Sequence, residues 1–455
     1  MVAAQSVVSS AENFLKVNKY GGGTPLQLTS TPDAPASLRG RVPSLVARVN
    51  RPLAAAVVAF LGWLGYVLAR LEVWAHGHPS LFVVAGGGSW KIGHTVYHAY
   101  TKAHQLPPSL MIADPNSAGY DGQFYYRLAL NPFNWSKTAY GITMDQPYRY
   151  TRIGYPLVSW VVSVGQHDLV PVALIAVNLV SVAAIAYLGG IFARDGGRHA
   201  LWGVLFAAYF GLAISVGRDT GEPLAEAFML GGLLAYRRGR WVLSGAAFAF
   251  AAITRETILF APAAIACVRL VQIARRKVKP GWPDVAWLAP AVAFGLDELA
   301  AKFVLKGYFA QSSLGADTSR NLSTPFAAMF SALHYDLTHI STGAMGWVDY
   351  NLLEYATLAV FIVAGLAVIV VTTAPIHERL AFVFFLFELG TLSSQIWSSN
   401  LDFSDGRSMI EPFLFALILL FATPKRYLNR YRLAAIAAAA APALIMVTRR
   451  RILFM

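Results

Sequence analysis

The chain has 455 residues, of which 56% are hydrophobic and only 13% charged, about half the charged fraction of soluble domains. Its mean hydropathy is +0.50, and it repeats apolar stretches of the roughly 20 residues that a membrane span needs, which excludes a soluble protein with a rich core. The net charge is +13, but the excess sits in short loops between apolar stretches, where it reports orientation and not nucleic acid as a partner.

Residues 1–51 read as a cytoplasmic tail rich in Ser, Pro and Gly that ends in Arg39, Arg41, Arg48 and Arg51. It lacks the basic, apolar, small-residue layout of a signal peptide. The first span follows, from Pro52 to Trp74, and the tail arginines place its start in the cytoplasm. A polar, aromatic stretch of about 75–155 then lies outside, closed by an interfacial run at 156–165 that is too short to cross. Further spans are expected near 168–193 and 200–217, then down to Arg237, up to the turn Thr254-Arg255-Glu256 and back to Arg275 and Arg276. The seventh rises past Asp297 and Glu298 to a second outer loop at about 307–349, and three more carry the chain to Lys425. Residues 426–455 form a basic and apolar C-terminal segment whose crossing is left open, because Arg449, Arg450 and Arg451 would then lie outside. The expectation is an all-α, polytopic bundle of ten or eleven spans, without internal repeats. Cys267 is the single cysteine, which excludes an intrachain disulfide and a cysteine-based metal site.

Chemistry concentrates in the first outer loop, at GYDGQFYYRLALNPF. Asp121 and Gly122 open a short helix that Asn131-Pro132 stops, so Asp121 reads either as an N-cap or as a functional carboxylate. Asp114 is its rival. Six tyrosines here, 120, 125, 126, 148, 150 and 155, read mostly as an interfacial belt. Arg149 and Arg152 lie on the side that the charge rule disfavours, and a guanidinium fork there suits an anionic phosphate. Arg218, Arg255 and Arg407 recur beside acids in three other outer turns, either as local ion pairs or as further phosphate ligands. Glu222 and Glu226 are one helical turn apart and can face one cavity with Asp219. Asp297 and Glu298 also suggest a wet cavity. His94 and His98 have helical metal-pair spacing without a third ligand, and read as solvated residues.

The blocks YDGQFYYRLALNP, RYTRIGYPL, RDTGEPLAEAF, TRET and SDGRSMIEPF together resemble the GT-C superfamily of membrane glycosyltransferases, over about 52–425. The resemblance implies a polyprenyl-phosphate sugar donor, an acceptor hydroxyl on a glycan or glycolipid, and a site on the outer face of the plasma membrane. It implies Asp121, or else Asp114, as the catalytic base, with inversion at the anomeric carbon. Arg149, Arg152, Arg218, Arg255 and Arg407 become candidate donor-phosphate ligands, and Asp219, Glu222 and Glu226 cavity acids. A divalent metal on Asp121, Asp219 or Glu222 stays open, since no ligand spacing requires it. A transporter or lipid flippase, or an envelope scaffold without catalysis, are the competing readings.

Overall fold

The structure, a computed structural model, describes residues 50–88, 90–92, 95–97, 100–144, 146–305, 322–340, 346–397 and 406–454. His94, His98, Asp145 and most of the second outer loop lie outside the described residues. The helices are α1 (Pro52–Val73), α2 (Gly122–Leu130), α3 (Gly154–Val162), α4 (Val170–Asp195), α5 (Phe210–Gly217), α6 (Glu222–Arg237), α7 (Trp241–Ala252), α8 (Phe260–Ala274), α9 (Val285–Leu305), α10 (Ala327–Thr338), α11 (Trp347–Val368), α12 (Ile376–Thr391), α13 (Ile410–Phe421), α14 (Arg430–Ala438) and α15 (Ala440–Leu453). Among the described residues, strands are confined to three two-stranded pairs between residues 85 and 143.

Among the described residues, five stretches are long and apolar enough to cross a membrane: Pro52–Val73, His167–Asp195, Glu256–Ala274, Asp349–Val368 and Arg430–Leu453. A sixth arises if the pair Ala200–Ala207 and Phe210–Gly217 is one broken span. Against the expected ten or eleven spans, five or six among the described residues meet that length and composition. Several intervening helices, such as α6 with 16 residues and α7 and α13 with 12 each, are short. The chain is all-α, with the long apolar helices of a multi-pass membrane protein, and large apolar side chains such as Leu61, Val180, Val363 and Phe303 stay exposed on their outer faces.

The first span begins where Pro52 follows an extended Arg51, because proline has no N–H to lose in the first turn. Its 22 residues extend roughly 33 Å. Trp63, Tyr66 and Arg70, spaced to share one face, donate to the carbonyls of Ala207 (3.0 Å), Ala213 (2.9 Å) and Gly217 (3.2 Å). The partner stretch is the expected third span, which here bends by 59°. A break in an apolar helix strands carbonyls that only a neighbour can satisfy, and α1 supplies the donors. Gly203 permits the close contact with α4, since a Cβ there would lie 2.3 Å from the Ala186 oxygen and the Gly190 nitrogen. At the centre, α13 is buried on every side, as its run of apolar residues beyond Glu411 requires.

The turns gather at two poles. At the basic pole, Asn50 accepts from the Ala200 N–H (2.8 Å), Arg198 donates to the carbonyls of Thr423 (3.0 Å) and Leu428 (2.6 Å), and Arg237 pairs with Glu378. The opposite pole holds the end of α1, the 75–155 segment and the turns at 218–221, 253–257 and 406–409. The C-terminal segment ends there too, because Arg70 donates to the Arg451 carbonyl and to that of Phe454 (3.1 Å). The arginines at 449–451 thus lie at the pole away from Arg51. Arg451 is buried and the Arg450 guanidinium stands over the Tyr350 ring at 5.1 Å.

This arrangement is checked with single cysteines in a Cys267→Ser chain. In sealed vesicles, an impermeant maleimide is expected to label His76→Cys and Phe454→Cys from one side and Lys425→Cys from the other. Labelling of positions 454 and 425 from the same side would contradict the fold.

Candidate functional site

The DG step places the key carboxylate. Gly122 opens α2 against neighbouring backbone, and a Cβ there would lie 2.4 Å from the Arg218 oxygen and 2.6 Å from the Val83 oxygen. Only glycine lets the loop approach that closely. Asp121 occupies the N-cap position, but its side chain makes no cap hydrogen bond. The capping expectation is corrected, because guanidiniums claim the carboxylate instead. All of α2 is buried, and Arg127 pins it by donating to the Ser136 carbonyl beneath Tyr150.

Asp121 accepts from two arginines, one on each oxygen: Arg149 Nη1 on Oδ1 at 2.7 Å, and Arg407 Nη2 on Oδ2. Arg407 Nη1 continues to Glu222 Oε1 at 3.0 Å, and Arg255 Nη1 meets the same oxygen at 3.1 Å. Arg255 Nε lies 3.4 Å from Glu411 Oε1 and donates to Thr257 Oγ1 at 2.8 Å, while that hydroxyl donates to Glu411 at 2.6 Å. Ser215 Oγ donates to Glu222 Oε2 at 3.1 Å. Arg152 grips Glu256 with both Nε (2.9 Å) and Nη2. None of these pairs joins an arginine to the acid beside it in sequence. The expectation of local ion pairs is corrected to one network that ties distant segments together.

Aromatic rings brace the cations. Arg149 stands over Phe124 (4.5 Å) and Tyr148 (4.7 Å), and Tyr120 lies between Arg218 (4.1 Å) and Arg407 (4.8 Å). The belt reading of the tyrosines is corrected as well, for Tyr125, Tyr126, Tyr150 and Tyr155 are buried. Tyr155 donates to the Leu174 carbonyl and accepts from Asn178.

A cavity of about 1050 Å³ adjoins the network. Its wall carries the cations Arg152, Arg255 and Lys302, the acids Glu256, Glu298 and Glu388, and the apolar side chains of Phe260, Phe294, Leu299, Phe387, Leu392 and Ile396. Leu299 on α9 and Phe387 on α12 are more than half exposed, so the apolar wall runs on to the outer surface of the bundle. Tyr148 and Ser408, the chain neighbours of Arg149 and Arg407, also line it.

The site residues expected from sequence therefore separate. Asp121, Arg149, Arg255, Arg407 and Glu222 form one network, whereas Arg152 pairs with Glu256 at the cavity. Arg218 stacks on Tyr120. Asp114 is remote in role, its carboxylate accepting from the Asn116 N–H at 2.8 Å within a turn. Glu222 and Glu226 are not among the residues that line this cavity; Glu298 is, and Asp297 is not. Glu226 is fully buried, with no hydrogen-bond partner on either oxygen among the described residues. Asp219 is likewise buried and without a hydrogen-bond partner among them, and burial pushes its carboxyl well above the usual range, with Arg70 opposing. Glu256, Glu388, Glu411 and Thr257 carry no mark in the sequence as site residues. Glu256 and Thr257 stand inside the block TRET and Glu411 inside SMIEPF, but nothing in their spacing marks them as partners of arginines elsewhere.

No protein-family model, curated protein or solved structure matches the chain. Its chemistry has to be argued from the geometry. Asp121 and Glu222 share Arg407, so a divalent cation set between them would meet a guanidinium already in place. Among the described residues no three metal-binding side chains converge. The residues do not fit a metal on Asp121, Asp219 or Glu222.

Burial works against the Asp121 charge, but Arg149 and Arg407 outweigh it and hold the carboxyl well below the usual carboxylate range. A carboxyl depressed in the folded state contributes stability above its unfolded pKa of about 3.9 and loses it as pH falls toward the folded value. The thermal stability gap between wild type and Asp121→Asn is expected to be flat above about pH 5 and to narrow below about pH 4. A gap that widened on acidification would contradict the pairing. Gly122→Ala is expected to destabilise the protein by about 1–3 kcal/mol, read as a lowered thermal midpoint; an unchanged midpoint would show that the loop does not need the close approach.

Proposed function

We propose that the protein is a membrane glycosyltransferase. It moves a sugar from a polyprenyl-phosphate donor to a hydroxyl of a glycan or glycolipid, on the outer face of the plasma membrane. The observation that carries the reading is Asp121 itself, a loop carboxylate beyond the first span, held between guanidiniums beside a cavity of mixed polarity. An amphipathic donor matches that cavity. Its isoprenoid tail suits the wall that Leu299 and Phe387 carry to the bundle surface, and its phosphate suits the cationic edge, where Arg152 and Arg255 line the cavity and Arg149 and Arg407 adjoin the lining residues Tyr148 and Ser408.

In the reaction, the acceptor hydroxyl oxygen forms the new bond to the anomeric carbon. The bond from that carbon to the phosphate oxygen breaks, and its electron pair leaves with the polyprenyl phosphate. The hydroxyl proton passes to Asp121. Guanidiniums stabilise the charge that develops on the leaving phosphate. One base and no protein nucleophile correspond to inversion.

A transporter would carry unpaired charge near the membrane midplane on broken helices. The one bent pair here has its carbonyls taken up by α1, and the ion network lies at a pole. Both points favour the enzyme over the carrier.

The test is complementation. Cells deleted for the gene are expected to lose one envelope glycan or glycolipid, seen by mass spectrometry, and to regain it with wild type. Asp121→Asn, inserted at normal level, should lower transfer by about 10²-fold or more. Undiminished transfer by that variant removes Asp121 as the base.

A further inference from the structure

We propose that Asp121 is an internal stand-in for the donor phosphate: its carboxylate occupies the place between Arg149 and Arg407 that the two non-bridging oxygens of the donor's phosphodiester take, and the ligand enters by exchanging one anion for the other. The inference rests on reading the site as one for a lipid phosphate, and adds to that reading an order of events.

The geometry carries it. The two carboxylate oxygens of Asp121 are split between two guanidiniums from segments 28 and 286 residues away. The donor's phosphodiester presents the same O···O edge through its two non-bridging oxygens, with the same single negative charge, so it competes for the same donors. The guanidiniums do not depend on Asp121 to stay in place. Arg149 rests on Phe124 and Tyr148, while Arg407 rests on Tyr120 and is bonded to Glu222. Asp121, by contrast, is a short side chain with two torsions, so its release needs only a rotamer change. The route in is adjacent, since Tyr148 and Ser408 of the cavity wall are the chain neighbours of the two arginines.

The consequence is chemical. While two guanidiniums hold it, the carboxylate is a poor acceptor for a proton. Once phosphate takes the guanidiniums, the carboxylate is released beside the leaving group, where a base is wanted. Donor binding thus precedes base action, and the acceptor is activated only when a donor is present.

The exchange makes a prediction opposite to that for an ordinary contact residue. The purified full-length protein in detergent is titrated by calorimetry with farnesyl phosphate, which carries the lipid phosphate in its leaving-group form. Asp121→Asn removes the competing anion, so it is expected to bind the probe about tenfold or more tightly than wild type, in keeping with the strength of a charged hydrogen bond. Asp121→Glu, which keeps a carboxylate, should stay near wild type, and Arg149→Gln should lose binding even in the Asp121→Asn background. Equal or weaker binding by a monodisperse Asp121→Asn overturns the exchange and leaves the lipid-phosphate site standing. Absence of binding by every variant overturns both. Should Asp121→Asn fail to purify, Asp121→Ser takes its place: tighter binding is again expected, and equal or weaker binding again overturns the exchange.

Discussion

Arg407 between Asp121 and Glu222 is the contact on which the site pole depends. It reaches from a late turn to the first loop and to the start of α6, and Arg255 extends the link to α13 through Glu411. Charges removed from water beside an apolar bundle are costly, and remain only when paired and hydrogen-bonded with good geometry. Here the cost is met by sharing: each guanidinium serves two acids or an acid and an aromatic face. Loss of one member would leave its neighbours buried and uncompensated.

The same constraint explains the bundle beneath. In an apolar surrounding every backbone group needs a partner, and a helix that breaks must be repaired from outside. The stripe Trp63, Tyr66 and Arg70 does this for the bent stretch from Ala200 to Gly217. Arg70 then also holds the C-terminal carbonyls. One polar face on the first helix therefore joins three parts of the chain at the pole where the site is built.

A carboxylate clamped by two arginines is well positioned and poorly disposed to take a proton. That tension is common where one group must be both fixed and reactive. In the proposed reaction the resolution comes from the ligand, whose phosphate claims the cations. Placement of the pair next to a cavity with both charged and apolar walls gives the exchange a source of anion.

Much of this was legible in the residues. Apolar length marked the long helices, the block from Gly122 to Asn131 marked a short helix with Asp121 at its start, and the recurrence of arginine beside acid marked the turns between helices. Composition fixes such features because they depend on neighbours along the chain. Which acid an arginine meets does not: Arg255 pairs with Glu222 and Glu411 and not with Glu256, and Arg152 takes Glu256 instead. Burial of the tyrosines, the bend near residue 208 and the separation of Glu226 from the cavity likewise arise only when helices pack. The sequence by itself determined which segments seek an apolar surrounding and where charge collects at their ends; the tertiary structure alone decided which charges touch, because pairing across tens to hundreds of residues is set by helix contacts that no local spacing encodes.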